Sequence, residues 1–180
     1  MKRDYSALEK AAKGQPVTKL SVKISTERPT TRLGLTEVEV CLDTVTEEMV
    51  EFFGHGQAWL LAGGLVSVSN WPLVLVTTRT GGYHMGVQTP AGDFLDIQGV
   101  RSFNEVREDY AWGSRVIVSP TMDDLRRVKA VFPLTWRERT EPDYFAEAIE
   151  FLAERLVKTA LGQDDLGWSV SNKNNQGRSA

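Results

Sequence analysis

The sequence predicts an α+β fold: a central helix packed on an antiparallel sheet, followed by a helical part towards the C-terminus. Two changes of hydrophobic period and one long stripe lead to it. Residues 57–69 carry Ala58, Leu61, Ala62, Leu65 and Val66 at the i, i+3, i+4 spacing of a helix buried on one side. Asn70 and the Trp71-Pro72 pair end that helix, because the residue before a proline is pushed out of the helical region. The period then falls to two. Segments 73–78, 83–89 and 94–98 alternate or are β-branched, separated by Gly81-Gly82 and by Pro90-Ala91-Gly92-Asp93, the turn chemistry of a three-strand meander. Helical period returns over 140–161, where Phe145, Ala148, Ile149, Leu152, Leu156 and Ala160 form one stripe ended by Gly162.

In chain order, residues 1–15 make a short polar helix around Tyr5, Leu8 and Ala12 with little to bury, so 1–16 is expected to be a loosely attached arm. Residues 17–25 and 36–42 alternate and pair as neighbouring strands. Cys41 lies in the second, between Val40 and Leu42; a buried structural cysteine is expected, since no helix start or basic neighbour marks it as a nucleophile. Thr44 with Glu47 reads as a capping box opening a helix over 45–53. The following Gly54-His55-Gly56 reads as a turn whose glycines permit positive φ and close approach of the backbone to a ligand. Within the central helix, Ala62, Gly63 and Gly64 let a neighbouring element come close, although two glycines in a helix cost about 2 kcal/mol against alanine. After the meander, Ser102 and Glu105 cap a helix over 102–110, 115–119 is a strand, and Ser119-Pro120 opens a helix over 121–130 whose Asp123 and Asp124 complement the dipole. Residues 131–139, with Phe132, Pro133 and Trp136, form an irregular packed connection. On the long helix the Glu and Arg/Lys positions are expected to make the solvated face, Glu154 pairing with Lys158 at i, i+4. Residues 17–162 then form one α+β domain. Residues 163–180, polar and rich in Asn, Gly and Ser, are expected to be a disordered tail in which Leu166, Trp168 and Val170 are able to dock.

A chain of 180 residues, 41% hydrophobic and 25% charged, fits one globular domain with one substantial core. The net charge of −3 and the pI of about 5.5 argue against bulk binding to nucleic acid or to an anionic membrane. No apolar run reaches the roughly 18 residues needed to span a bilayer, and the first residues lack the apolar stretch of a signal peptide. The single cysteine cannot close an internal disulfide, so a cytoplasmic location is expected. Two histidines and one cysteine argue against a structural zinc site, and no phosphate-cradling, dinucleotide-binding or HExxH motif occurs. Neither a metal nor a cofactor is expected.

The polar residues of the central stretch can be picked out one by one. His84 opens the second meander strand and Asp96 lies on the third, so two antiparallel strands joined at Pro90-Ala91-Gly92-Asp93 are able to bring an imidazole and a carboxylate together. Read alone, His84 is a strand-start histidine bonded to a neighbour, and Asp96 an acceptor for backbone amides near Gly99-Val100. The order helix, strand, His-bearing strand, turn, Asp-bearing strand over residues 52–100 resembles the core of papain-like cysteine hydrolases and the related transglutaminase-like proteins. That resemblance implies a papain-like fold in which a glycine-rich turn delivers a cysteine to the N-terminus of the central helix, a histidine opens a later strand, and an acidic or amide residue orients it. His84 and Asp96 match the last two. The nucleophile position falls on Gly56 in Gly54-His55-Gly56-Gln57, where glycine offers no thiol and the neutral Gln57 carboxamide cannot replace one. His55, Gln57, Trp59 and Tyr83 are the residues expected to line a pocket around the pair.

Three functions follow from these residues. The first is a catalytically silent papain-like domain acting as a binding or accessory protein, with a protein partner or a small ligand; its size and acidic balance suit a phage or bacterial accessory protein. The second is a hydrolase or transferase that uses the His84/Asp96 dyad with another nucleophile such as water. The third is an assembly protein that works through its tail.

Overall fold

The fold is that of a computed structural model, which describes residues 3–26, 29–30, 32–110, 114–130, 133, 136–137, 143–164 and 166–168. Helix α1 (Ser6–Ala11) leads through one 3₁₀ turn (Val17–Lys19) into β1 (Ser21–Ser25), which pairs antiparallel with β2 (Glu37–Cys41). Alternation puts Val22, Ile24, Val38 and Val40 inside and their neighbours in solvent. A two-residue strand, β3 (Thr44–Val45), precedes α2 (Glu47–His55), and the central helix α3 (Ala58–Ser69) follows at once. Then come β4 (Leu73–Thr77), β5 (Tyr83–Gln88), β6 (Phe94–Asp96), β7 (Gly99–Arg101), α4 (Phe103–Asp109), β8 (Arg115–Val118), α5 (Met122–Arg127), α6 (Asp143–Ala160) and β9 (Gly167–Trp168). The main sheet has five antiparallel strands in the order β7-β6-β5-β4-β8.

Helix α3 lies between this sheet and α6, which explains its small residues. On one side Ala58 and Ala62 pack on Leu75 and Met85 of the sheet; on the other, Leu60, Leu61 and Leu65 share a core with Ile149, Leu152, Ala153 and Leu156 of α6. A Cβ at Gly64 would lie 2.8 Å from Ile149 Cγ2, and one at Gly63 would overlap the Trp136 indole. The helix ends where Asn70 adopts the left-handed conformation and its N–H bonds to Val66 O at 2.9 Å, one residue before the Trp-Pro pair. The other face of the sheet carries a second, smaller core, in which Val106 and Phe103 of α4 cover Val74, Val76 and Phe94. Among the described residues no helix is long and apolar enough to cross a membrane.

Several expectations change. The N-terminal segment is anchored rather than loose: Leu8 is fully buried, the Glu147 carboxylate accepts the Ala7 and Leu8 N–H groups at 3.3 and 2.7 Å, and the Tyr5 hydroxyl donates to Glu154 at 2.6 Å. Glu147 and Glu150 are therefore buried in a helix face expected to be solvated; Glu150 takes the Ser67 hydroxyl at 2.9 Å and ion pairs from Arg3 and Arg137 at 3.6 and 3.4 Å. The N-cap of α2 is Thr46, whose side chain accepts from Met49 N, and not Thr44, because Thr44 and Val45 are drawn into a parallel pairing with β9. Gly54 and His55 continue α2 instead of making a turn. Pro120 precedes α5, whose N-cap is Thr121, closed into a capping box by Asp124. Leu166 is buried and residues 167–168 form a strand, so the ordered chain continues past 162; Val170 and the rest of the tail, like most of the connection at 131–139, lie outside the described residues. Cys41 is half-buried, 3.7 Å from Ser21 Oγ, on the solvent side of its strand.

Candidate functional site

Strand β5 sends Tyr83, Met85 and Val87 to the α3 side of the sheet and His84 and Gly86 to the α4 side. The register pairs Val87 with Leu95 and Gln88 with Phe94, which sets Asp96 opposite Gly86 and diagonal to His84 on the same face. His84 Nε2 lies 2.7 Å from Asp96 Oδ2. The same oxygen receives Arg101 Nη2 at 2.6 Å, and Asp96 Oδ1 accepts the Gln98 N–H at 2.8 Å in the turn between β6 and β7. Arg101 also bonds Asp109 at the end of α4, so it straps that helix to the sheet. Tyr110 stacks flat on the imidazole, with ring centroids 4.9 Å apart and planes 16° from parallel, and its hydroxyl donates to Gly54 O at 3.2 Å. Phe94 lies beside the imidazole, its ring centroid 5.8 Å away and tilted by 55°. The outcome is a sealed pair: His84 is 0% and Asp96 1% exposed.

Burial alone would raise the Asp96 pKa, but the hydrogen bond and charge of His84 and the Arg101 guanidinium outweigh it and hold the carboxyl below the ordinary carboxylate range. An ionised Asp96 can only accept, so His84 Nε2 carries the proton. Burial pushes Tyr110 upward, as does the Asp96 charge, so its hydroxyl stays protonated. His84 Nδ1 and Arg101 Nε are buried with no hydrogen-bond partner among the described residues. Burial pushes the pKa of His55, at the end of α2, below the usual histidine range against the pull of Glu51.

The other expected site residues do not converge on this pair. Gly56 is the C-cap of α2, and a Cβ there would lie 2.9 Å from Thr30 Cγ2 and 3.3 Å from Phe52 O. Position 56 is thus closed by Thr30 and holds no side chain aimed at His84. The first residue of α3 is Ala58, a methyl packed among Leu75 and Met85, so the helix N-terminus bears no nucleophile either. Gln57 Nε2 donates to Thr26 Oγ1 at 2.9 Å and its Oε1 accepts from Trp59 Nε1 at 2.8 Å. Trp59 and Tyr83 pack with Ala58 on the α3 side. The sheet therefore divides the expected pocket, with Gln57, Trp59 and Tyr83 on one side and His84, Asp96 and His55 reached from the other.

Arg101, Tyr110 and Glu51 were not anticipated. Arg101 sits on β7, joined to β6 by the two-residue turn Ile97-Gln98, which has no Asn-Gly or Asp-Gly signature; the glycine at position 99, which takes a φ of 91°, was the available clue. Glu51 Oε1 accepts Thr30 Oγ1 at 2.7 Å and the N–H groups of Arg32 and Leu33 at 3.1 and 2.7 Å, fixing the loop that packs on Gly56. Among the described residues no group of three or more His, Cys, Asp or Glu side chains is placed to hold a metal ion.

Comparison with protein-family models, with curated proteins and with solved structures finds no match.

Proposed function

We propose that this chain is a catalytically silent α+β domain that works by binding a partner, and that the His84–Asp96–Arg101 network is a structural device fastening α4 to the sheet. The observation that carries the reading is the burial of the pair. A general base must come within about 3 Å of the proton it removes; with Nε2 donating to Asp96, the basic lone pair of His84 is on Nδ1, and that atom is buried under the stacked Tyr110 ring in a side chain that is 0% exposed. The likeness to papain-like proteins is one of element order: α3, β4, the His84-bearing β5, a turn, the Asp96-bearing β6. With alanine at the start of α3 and glycine at position 56, such a plan keeps the scaffold without covalent chemistry.

The deciding experiment compares the protein with His84→Ala on an activated ester and on fluorogenic peptide amides. Both should run at the uncatalysed rate. Turnover by the unmodified protein that His84→Ala abolishes while circular dichroism stays unchanged would overturn the reading in favour of a hydrolase.

A further inference from the structure

A groove of about 560 Å³ lies between the β1–β2 ribbon and the start of α2, lined by Leu35, Glu37, Glu39, Cys41 and Glu48 among others. Its charge is one-sided. Lys23 is neutralised by Glu37 at 2.7 Å, while Glu39 and Glu48 have no ion-pair partner among the described residues.

The backbone beside it is open as well. Leu42 N–H bonds to Leu20 O at 3.3 Å and Thr26 N–H to Thr36 O at 2.7 Å, so the closely bonded pairs of this antiparallel ribbon are the even-numbered positions. The N–H and C=O groups of Glu37, Glu39 and Cys41 consequently point away from β1. No other strand pairs with β2 among the described residues, and the Cys41 thiol, 4.0 Å from the Glu39 carbonyl, is the contact found there. A strand edge left in this state is a template for another extended chain.

We propose that this groove docks an extended, basic segment of a partner protein, added as a strand along the β2 edge with alternate lysine or arginine side chains against Glu39 and Glu48. Main-chain hydrogen bonds supply the pairing, and the two-residue period of a strand brings every second side chain to the acidic face. The proposal rests on the binding reading above and names the chemistry of the partner.

The probe is a short capped, fluorescein-labelled peptide in which lysine alternates with threonine, followed by fluorescence anisotropy on the full chain. Saturable binding is expected, weakened at least about tenfold by the double substitution Glu39→Lys/Glu48→Lys and by raised salt. It should also be lost when alternate peptide amides are N-methylated, and when Cys41, in the groove wall, carries a bulky maleimide. Because Glu39 and Glu48 are exposed, Glu39→Gln/Glu48→Gln serves as a milder second variant should the reversal disturb folding. Absence of binding, or binding indifferent to the carboxylates, overturns the proposal; binding that survives N-methylation overturns strand addition. None of these results touches the silent reading of His84, which falls only to turnover that depends on that residue.

Discussion

At Asp96 the competing effects are large enough to set a pH dependence. Its folded-state pKa is depressed, so its contribution to stability is complete above the unfolded value of about 3.9 and is lost as pH falls through the folded one. Glu51 behaves alike: burial would raise it, but the Thr30 hydroxyl and the Leu33 and Arg32 amides hold it down. His55 acts higher on the scale, since a histidine kept neutral by burial destabilises the fold as pH drops below about 6.5. Urea titrations should therefore show a first loss of stability below about pH 6.5, absent in His55→Gln, and a second below about pH 4. Asp96→Asn should shrink the second, to which Glu51 also contributes, and cost about 3 kcal/mol at neutral pH, because it leaves the buried Arg101 guanidinium with the half-exposed Asp109 as its remaining carboxylate. Gly86 is constrained as tightly: a Cβ there would overlap the Leu95 carbonyl and the Phe94 ring that lies beside His84. Gly86→Ala is expected to lower the unfolding free energy by about 2 kcal/mol in the same assay.

Between elements, the least anticipated joint is α1 on α6. A six-residue helix has little stability of its own; here it is fixed by Leu8 in the core and by Glu147, whose two oxygens accept the Ala7 and Leu8 N–H groups. Removing that carboxylate by Glu147→Ala strands two partly or fully buried donors, at about 2 kcal/mol. Trypsin should then cut after Lys10 and Lys13 well before the rest of the chain, whereas the unmodified protein should resist there; equal protection in both would show that Leu8 alone holds the arm. The stripe of α6 itself was legible, because Ala148, Ile149, Leu152 and Leu156 keep the helical period. Its buried Glu147 and Glu150 were not, because a glutamate reads as solvent-facing until the groups it bonds, 83 residues away for Ser67 and further for Leu8, are placed beside it.

For the molecule as a whole, the sheet is a partition with α3 and α6 on one side and α4 on the other. The two histidines differ accordingly: His84 is sealed under Tyr110, and His55, at the end of α2, is only half-buried. Diethyl pyrocarbonate at neutral pH should carbethoxylate His55 and spare His84 until denaturant is added, as read by peptide mass. Modification of His84 in the folded protein at a comparable rate would mean that the α4 cover opens readily, and would reinstate access to its imidazole.

What the sequence by itself determined is local. The 3.6-residue period of α3 and α6, the two-residue period and turns from Leu73 to Asp96, and the Ser102–Glu105 capping box are written in neighbouring residues, and the helices, strands and cap stand where those patterns put them. The closeness of His84 and Asp96 belongs here too, since a short turn between adjacent strands leaves few registers. Only the tertiary structure decided which face of the sheet each side chain meets. Alternation says that His84 and Tyr83 point to opposite sides, but not that α3 covers the one and α4 the other. Packing made that choice, by burying Ala58 and Ala62 on Met85 and by stacking Tyr110 on His84, and it left the His84–Asp96 pair buried inside the core.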